Sequence, residues 1–514
     1  MKRFITLSLS AALAAIGFVA CGDDDDTPDA GPADMGTPDM GGVDPGPTVI
    51  TGDVTNLSGR GNWGGLIIDG FAIDNQGDDN GELTSEASPP DSPRWFGGTD
   101  NGDSSGTLRY VIIAESGFEF QPGEEVQGLT LEAVGSGTEI SYLQIVGSED
   151  DGVEWFGGAV DMDHLVVNGT DDDAIDIDEG YIGNIQYAIV RIGAQNGDRG
   201  IESDSKFDEE PITAPNLANL TILGNAGRMD EETRGALHRE NFAGKVFRSV
   251  YTDDLLAGTT FEGGCLDIDD TLNPNNTYDD VVFNCSPGSL HEDTDDDATS
   301  DNFQTDGVNN GQINFQEDNG LTIDPQTLAI QTSVAAPTVA LPAGLEDAGY
   351  YGAVDPSAAE GWWQGWTYID ARVDGNLPGA DFHPLQDDIE SGAITPATEH
   401  ACASVNSTFT NGGFVTIFGA DFPVCVINED ITEDTSLPNN HVFVYGDFIN
   451  VGTGGTQLSG GAPSTTPTLT IAAGTQILAQ ENQGAFLVIT RGARIDAQGT
   501  AEQPVIFGAA PMSL

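Results

Sequence analysis

The chain has 514 residues, with 84 Asp and Glu against 16 Lys and Arg, and a formal net charge of −68. That balance excludes a nucleic-acid binder that works by releasing counterions from phosphates, and docking on anionic lipid through a basic patch. With 38% apolar residues it is too apolar for a wholly disordered acidic chain, and it is longer than one compact core can grow, so several domains or an elongated repeat are expected.

Met1-Lys2-Arg3, an apolar run from Phe4 to Val19 and the small residues Ala20-Cys21-Gly22 read as a secretory signal over residues 1–20. The run is shorter than the roughly 20 apolar residues of a permanent span. Phe18-Val19-Ala20-Cys21 resembles the lipobox of bacterial lipoproteins, with Phe18 where that family carries Leu. The resemblance implies that Cys21 becomes an acylated N-terminus and that the lipid is the contact with the membrane. Gly22 rather than Asp follows, so the family's inner-membrane retention signal is missing, which implies the outer membrane or cell surface. Cleavage without acylation would instead give a secreted protein. Residues 22–48 hold eight Asp, no basic residue and many Pro and Gly. Residues 21–48 are therefore expected to form a disordered acidic tether.

From about Gly61 short apolar runs alternate with Gly, Asp and Asn: WGGLIIDG (63–70), LRYVIIAESG (108–117), SYLQIVGS (141–148), DHLVVNGT (163–170), YAIVRIG (187–193) and NLTILGN (219–225). These are short strands bounded by turn residues. Leu143, Leu165, Ile189 and Leu220 occupy similar places, 22, 24 and 31 residues apart, a spacing that fits stacked coils.

A second strand recurs in each coil. Gly117-Phe118-Glu119-Phe120, Gly152-Val153-Glu154-Trp155, Ala174-Ile175-Asp176-Ile177 and Gly200-Ile201-Glu202-Ser203 align without gaps. Alternation across a strand predicts an inward stack of Phe118, Val153, Ile175 and Ile201 and an outward column of Glu119, Glu154, Asp176 and Glu202. The same register superposes the turn acids Asp150-Asp151, Asp172-Asp173 and Asp198. The fold class is all-β, a right-handed parallel β-helix over residues 49–370.

The phrases GRGNWGGLIIDG (59–70), FGGTDNGDSSGTLRYVII (96–113), SEDDGVEWFGG (148–158) and GTDDDAIDIDEGY (169–181), with GYYGAVDPSAAEGWWQGWTYID (349–370), resemble a family of bacterial envelope lipoproteins that carry a β-helix domain and no established activity. HVFVYGDFINVG (441–452), LTIAAGTQILAQ (469–480), FLVITRGARIDAQGT (486–500) and PVIFGAA (504–510) match the same family, but there they precede the Trp-Gly-Gly-Leu phrase. The reversed order over 441–514 implies a circular permutation or a truncated second copy, with 371–440 as a disulfide-containing connecting β region. Under permutation the C-terminal coils stack beneath Leu66–Ile68.

In an oxidising envelope Cys265 with Cys285 and Cys402 with Cys425 are the local pairings, and the two crossed connectivities stay open. Asp150, Asp151, Glu154, Asp172, Asp173, Asp176, Asp198 and Glu202 are candidate ligands for Ca²⁺, which takes six to eight oxygens; the competing reading is a solvated acidic face. The run His291 to Asp297 lacks EF-hand spacing, with Ala298 and Gln304 at the sixth and twelfth positions.

Asp171-Asp172-Asp173 resembles the paired aspartates of polygalacturonase-like hydrolases, but no Gly-His-Gly and no Arg-x-Lys follow. A lyase would need a base such as Arg191 or Arg199 beside the cation. No catalytic residue is assigned; His164 and His238 read as structural, and the Trp362-Trp363-Gln364-Gly365-Trp366 cluster as a cap on the core end. The expected function is a lipid-anchored, non-enzymatic envelope β-helix for binding, adhesion or structure, with divalent cations on its acidic face and a glycan or protein ligand. The alternative is a polysaccharide-active hydrolase or lyase.

Overall fold

Each coil contributes one short strand to a nine-stranded parallel sheet, in the order Ile449–Val451, Phe486–Ile489, Gly65–Asp69, Leu129–Glu132, Val153–Phe156, Ile175–Asp178, Glu202–Ser203, Leu237–His238 and Asp267–Ile268. The structure is a computed structural model and describes residues 49–50, 57, 59–88, 93–119, 126–192, 197–206, 209–224, 233–256, 258, 260–261, 263–269, 271–286, 288–291, 303–369, 383–458, 462–481 and 484–513. The signal segment, Cys21 and the tether lie outside these residues, as do positions 292–302 of the acidic run after His291. The chain is a parallel β-helix. Its inward column runs through Leu487, Leu66, Leu129, Val153 and Ile175, each no more than 2% exposed.

Two expectations are corrected here. Leu129, not Phe118, stands in the inward column beside Val153, and Thr130, not Glu119, stands beside Glu154. Phe118 is half-buried and Glu119 exposed. The Gly-aromatic-acid phrase at 117–119 belongs to a turn, where Gly117 donates to Gly64 O at 3.0 Å and Glu149 N to Ser116 O at 3.0 Å. The gapless alignment matched a turn to a strand.

The other walls of the coil come from longer strands that bend once. Gly106–Ala114, Glu139–Val146, Asp161–Asn168 and Asn184–Arg191 pair in parallel register, and each turns at a residue of positive φ: Tyr110 (48°), Tyr142 (54°), His164 (56°) and Tyr187 (60°). The corner continues at Asn219 (53°), Arg248 (50°) and Asp280 (53°). Left-handed backbone is costly for these residues, and stacking of the corner side chains offsets part of the cost. Tyr110 and Tyr142 stack at 4.4 Å between centroids, Tyr142 and His164 at 4.3 Å, and His164 and Tyr187 at 4.9 Å.

Beyond the corner both faces of the strands are covered. Leu143 pairs with Leu165, whose next neighbour is Ala188, so Ile189 belongs to the outward column and not, as expected, beside Leu165. That outward column is Ile112, Gln144, Val166, Ile189, Thr221, Val250 and Val282. A strap formed by residues 318–369 lies over it, packing Leu321, Ile330, Tyr351, Val354, Trp363 and Ile369 against Val166, Ile189, Val250 and Val282. The two polar members of the column bind the strap: Tyr368 N donates to Gln144 Oε1 at 2.8 Å and Ala353 N to Thr221 Oγ1 at 2.8 Å. The Trp cluster is therefore no end cap. Trp362 and Trp366 edge onto the corner rings of Tyr142 and Tyr110, at 6.2 and 5.3 Å.

The C-terminal coils stack against the N-terminal ones. Gly65–Ile68 pair in parallel with Phe486–Ile489, while Val505–Phe507 pair with Val111–Ile113 on the adjoining wall. Val49 and Ile50 pair antiparallel with Ser513 and Met512. The far coils reach Ala420–Val426, which stacks on Val442–Tyr445 and is covered by the antiparallel strand Thr410–Ile417. Both local disulfides form, Cys265–Cys285 with a Cα–Cα distance of 5.5 Å and Cys402–Cys425 with 5.3 Å. Replacing Cys265 and Cys285 together by Ser is expected to cost about 3 kcal/mol on the chain-entropy model; urea denaturation measures it, and a loss under 1 kcal/mol would count against an entropic clamp.

Among the described residues no helix is long and apolar enough to cross a membrane.

Candidate functional site

Parallel register brings the acids together. Glu154 lies beside Asp176, and Asp176 beside Glu202. One turn earlier in each coil Asp151 Oδ1 accepts from Asp173 N at 2.9 Å, and Asp173 Oδ1 accepts from Arg199 N at 2.6 Å. The turns therefore repeat in register, with Arg199 standing where Asp151 and Asp173 stand in the preceding coils.

Carboxylate oxygens converge in three overlapping groups: Asp150, Asp151 and Asp172; Asp151, Glu154 and Asp176; Asp172, Asp173 and Asp198. Within each group the oxygens lie within 4.8 Å of one another. All eight acids singled out from the sequence fall in this ladder, Glu202 entering it through Asp176. The ladder is only partly solvated: Glu154 is 3% exposed, Asp173 2% and Asp198 1%, while Asp150, Asp172 and Asp176 are half-buried.

Two unit charges 4.8 Å apart repel by about 3.5 kcal/mol at an effective dielectric of about 20. Burial, and then the neighbouring carboxylates, push Asp151, Glu154 and Asp176 well above the usual carboxylate range. Asp173 is raised too, first by burial and then by Glu202, with Arg199 opposing.

Basic residues offset part of the charge at one end of the ladder. Arg199 lies 2.5 Å from Asp198, 3.3 Å from Glu202 and 3.8 Å from Asp173. Arg239 lies 2.7 Å from Glu202 and 3.0 Å from Asp204. At the other end, Glu154 Oε2 is buried and has no hydrogen-bond partner among the described residues.

The two arginines a lyase could use are both paired with carboxylates. Arg191 is buried and donates to Asp254 Oδ2 at 2.9 and 2.7 Å, and Arg199 is bound within the ladder. His164 belongs to the corner stack. His238 points into the core, its Nε2 2.5 Å from the Tyr278 hydroxyl, and burial pushes it down to about 3. Asp171 pairs with Arg60 at 3.2 Å.

Sequence reasoning missed what lies beside the ladder. Residues 70–88 and 93–104 lie outside the coils as an excursion after Asp69, containing the hairpin Glu82–Thr84 and Trp95–Gly97. Arg94 anchors it at 3.2 Å from Asp69 and 3.0 Å from Glu132, all three buried. The excursion brings Glu86 close enough to add to the charge around Glu154. Neither Arg94 nor Glu86 carries a periodic signal, because the excursion occurs in one coil only.

A family model described as a pectate-lyase-like beta helix domain matches residues 34–326 and 457–513, more than half of the chain. No curated protein and no solved structure matches. The two matched stretches include the acidic ladder and the C-terminal coils that pair with Gly65–Ile68, and the chain belongs to this pectate-lyase-like β-helix family.

Proposed function

We propose that the protein is a non-enzymatic β-helix of the cell envelope, lipid-anchored through Cys21, that holds a divalent cation, Ca²⁺ in the first instance, on its acidic ladder and binds glycan or protein partners there. The carrying observation is Glu154: a carboxylate 3% exposed, with Oε2 unpartnered among the described residues and with Asp151 and Asp176 oxygens within 4.8 Å. Arg199 and Arg239 supply positive charge at one end of the ladder; beside Glu154 a cation would do the same. Hard carboxylate oxygens without thiolate or imidazole suit Ca²⁺. The β-helix family fits a role connected with polysaccharides.

Thermal unfolding with EDTA and then with excess Ca²⁺ tests the reading. At free Ca²⁺ of about 100 times Kd the folded state gains about 2.7 kcal/mol, a rise of about 2–3 degrees for a chain of this size. The double variant Glu154→Gln/Asp176→Asn should lose that rise. An unchanged melting temperature, with no binding heat by calorimetry, would remove the cation from the proposal. Labelling with palmitate, lost in Cys21→Ser, tests the anchor, and a uronate-release assay distinguishes binding from catalysis.

A further inference from the structure

The excursion crosses the solenoid along its axis, meeting a new coil every residue or two. Ala72 N donates to Ala133 O at 2.9 Å, Gly158 N to Ile73 O at 2.8 Å, and Asn75 N to Glu179 O at 2.9 Å; Asn75 Nδ2 reaches Ser205 O and Pro211 O at 3.2 and 3.1 Å. Contact is close enough to demand glycine beneath it: a Cβ on Gly157 would sit 2.7 Å from Ile73 O and 2.8 Å from Asp74 Cα.

Within this satisfied crossing two polar atoms stand out. Asp74 and Glu179 are 4% and 7% exposed, their carboxyls lie side by side, and Asp74 Oδ2 and Glu179 Oε2 have no hydrogen-bond partner among the described residues, while Asp74 Oδ1 accepts from Gln76 N at 2.7 Å. Glu179 is held at φ 51°, a strained conformation for a non-glycine residue, by Asn75 N on its carbonyl and by its own N–H donating to Asp178 Oδ1 at 2.7 Å. Two carboxylates cannot remain in contact at a buried site unless a proton lies between them.

We propose that a proton shared by Asp74 and Glu179 latches the excursion onto the solenoid, so that the segment lying over the acidic sheet loosens as the surroundings become alkaline. The latch concerns the excursion alone and stands whatever the ladder binds.

The charged groups facing the pair are Asp178 and Glu132 from the solenoid strands and Lys206, which lies 3.1 Å from Asp178. Lys206 pairs with Asp178 and also favours the charged form of Glu179, but less than burial and Asp74 oppose it. Burial pushes Asp74 up to about 7, and Glu179 is raised by burial and then by the Asp74 charge. A carboxyl raised in the folded state contributes its full stability below its unfolded value, about 3.9 for Asp, and loses it as pH rises through the folded value. The latch is thus closed in acid and weakens as pH rises from about 4 through the folded value, about 7 for Asp74.

Hydrogen exchange of the full chain between pH 5.5 and 9, corrected for intrinsic rates and followed in peptides covering residues 71–80 and 157–160, tests this. The opening constant should rise by up to about tenfold per pH unit for each proton released. Glu179→Gln, whose amide donates permanently to Asp74, should flatten the slope, as should Asp74→Asn. Asp204→Asn should keep it, although Asp204 is also pushed up to about 7 by burial. A flat slope in the unaltered protein overturns the latch, and so does a slope that survives in Asp74→Asn and Glu179→Gln or vanishes in Asp204→Asn. Circular dichroism checks that each variant is folded; if one of the pair is not, the other carries the comparison.

Discussion

Arg491→Met is expected to destabilise the fold by about 3–5 kcal/mol, the cost of removing one partner of a buried charge pair. Arg491 is 0% exposed and sits where the C-terminal coils meet the N-terminal excursion. Its Nη1 donates to Glu82 Oε1 and to Gly97 O, both at 2.9 Å, its Nε to Gly454 O at 3.1 Å and its Nη2 to Thr456 O at 2.8 Å. Glu82 is as deeply buried and also accepts from Leu458 N at 2.7 Å. Met fills the space but leaves a buried carboxylate and three carbonyls without their donor. Against a typical net stability of 5–15 kcal/mol this is a large fraction. Glu82→Gln, which keeps a carbonyl for the guanidinium, should cost less. Urea denaturation measures both; a loss under 1 kcal/mol for Arg491→Met would mean that the two ends of the chain are not joined through this contact.

Trp366→Ala should cost a similar 3–5 kcal/mol, by the lost transfer energy of a large aromatic and the cavity it leaves. The indole is 0% exposed, packs with Ile112, Ala114 and Val146, and donates from Nε1 to Trp362 O at 3.0 Å. The effect should differ in kind from that of Arg491. The strap covers the outside of a wall whose inner face is already packed, so its release opens the strap before it opens the solenoid. Proteolysis within residues 318–369 and binding of a hydrophobic dye should therefore increase at temperatures where the parallel sheets persist by circular dichroism. Coincident loss of both signals would show instead that strap and solenoid unfold as one unit.

These two sites show why parts of the molecule escape a reading from the sequence. Val153, Glu154, Ile175 and Asp176 were placed correctly because that strand has one apolar face and one acidic face, and alternation survives where the faces differ. Ile189 was placed on the wrong side because both faces of its strand are apolar, one against the core and one against the strap. Where no face is wet, a one-residue slip leaves no trace in composition. Glu119 failed for another reason: a turn that repeats the Gly-aromatic-acid pattern looks like the strand that follows a similar turn elsewhere. The Trp cluster was recognised as an apolar cover, but what it covers is a wall some 200 residues earlier in the chain, and no local pattern carries that.

The sequence by itself determined the solenoid, through turn residues spaced at coil length, and the membership of eight acids in one ladder, since parallel stacking preserves register from coil to coil; it offered the local disulfide pairs but left the crossed ones open. Only the tertiary structure decided that Glu154, Asp173 and Asp198 are buried in the ladder, that Arg199 pairs at one end of it, that Arg491 joins coils to an excursion about 400 residues away, and that Asp74 meets Glu179. The physical reason is that periodic contacts are written into the chain once per coil, whereas the excursion and the strap each occur once and are placed by packing and buried charge alone.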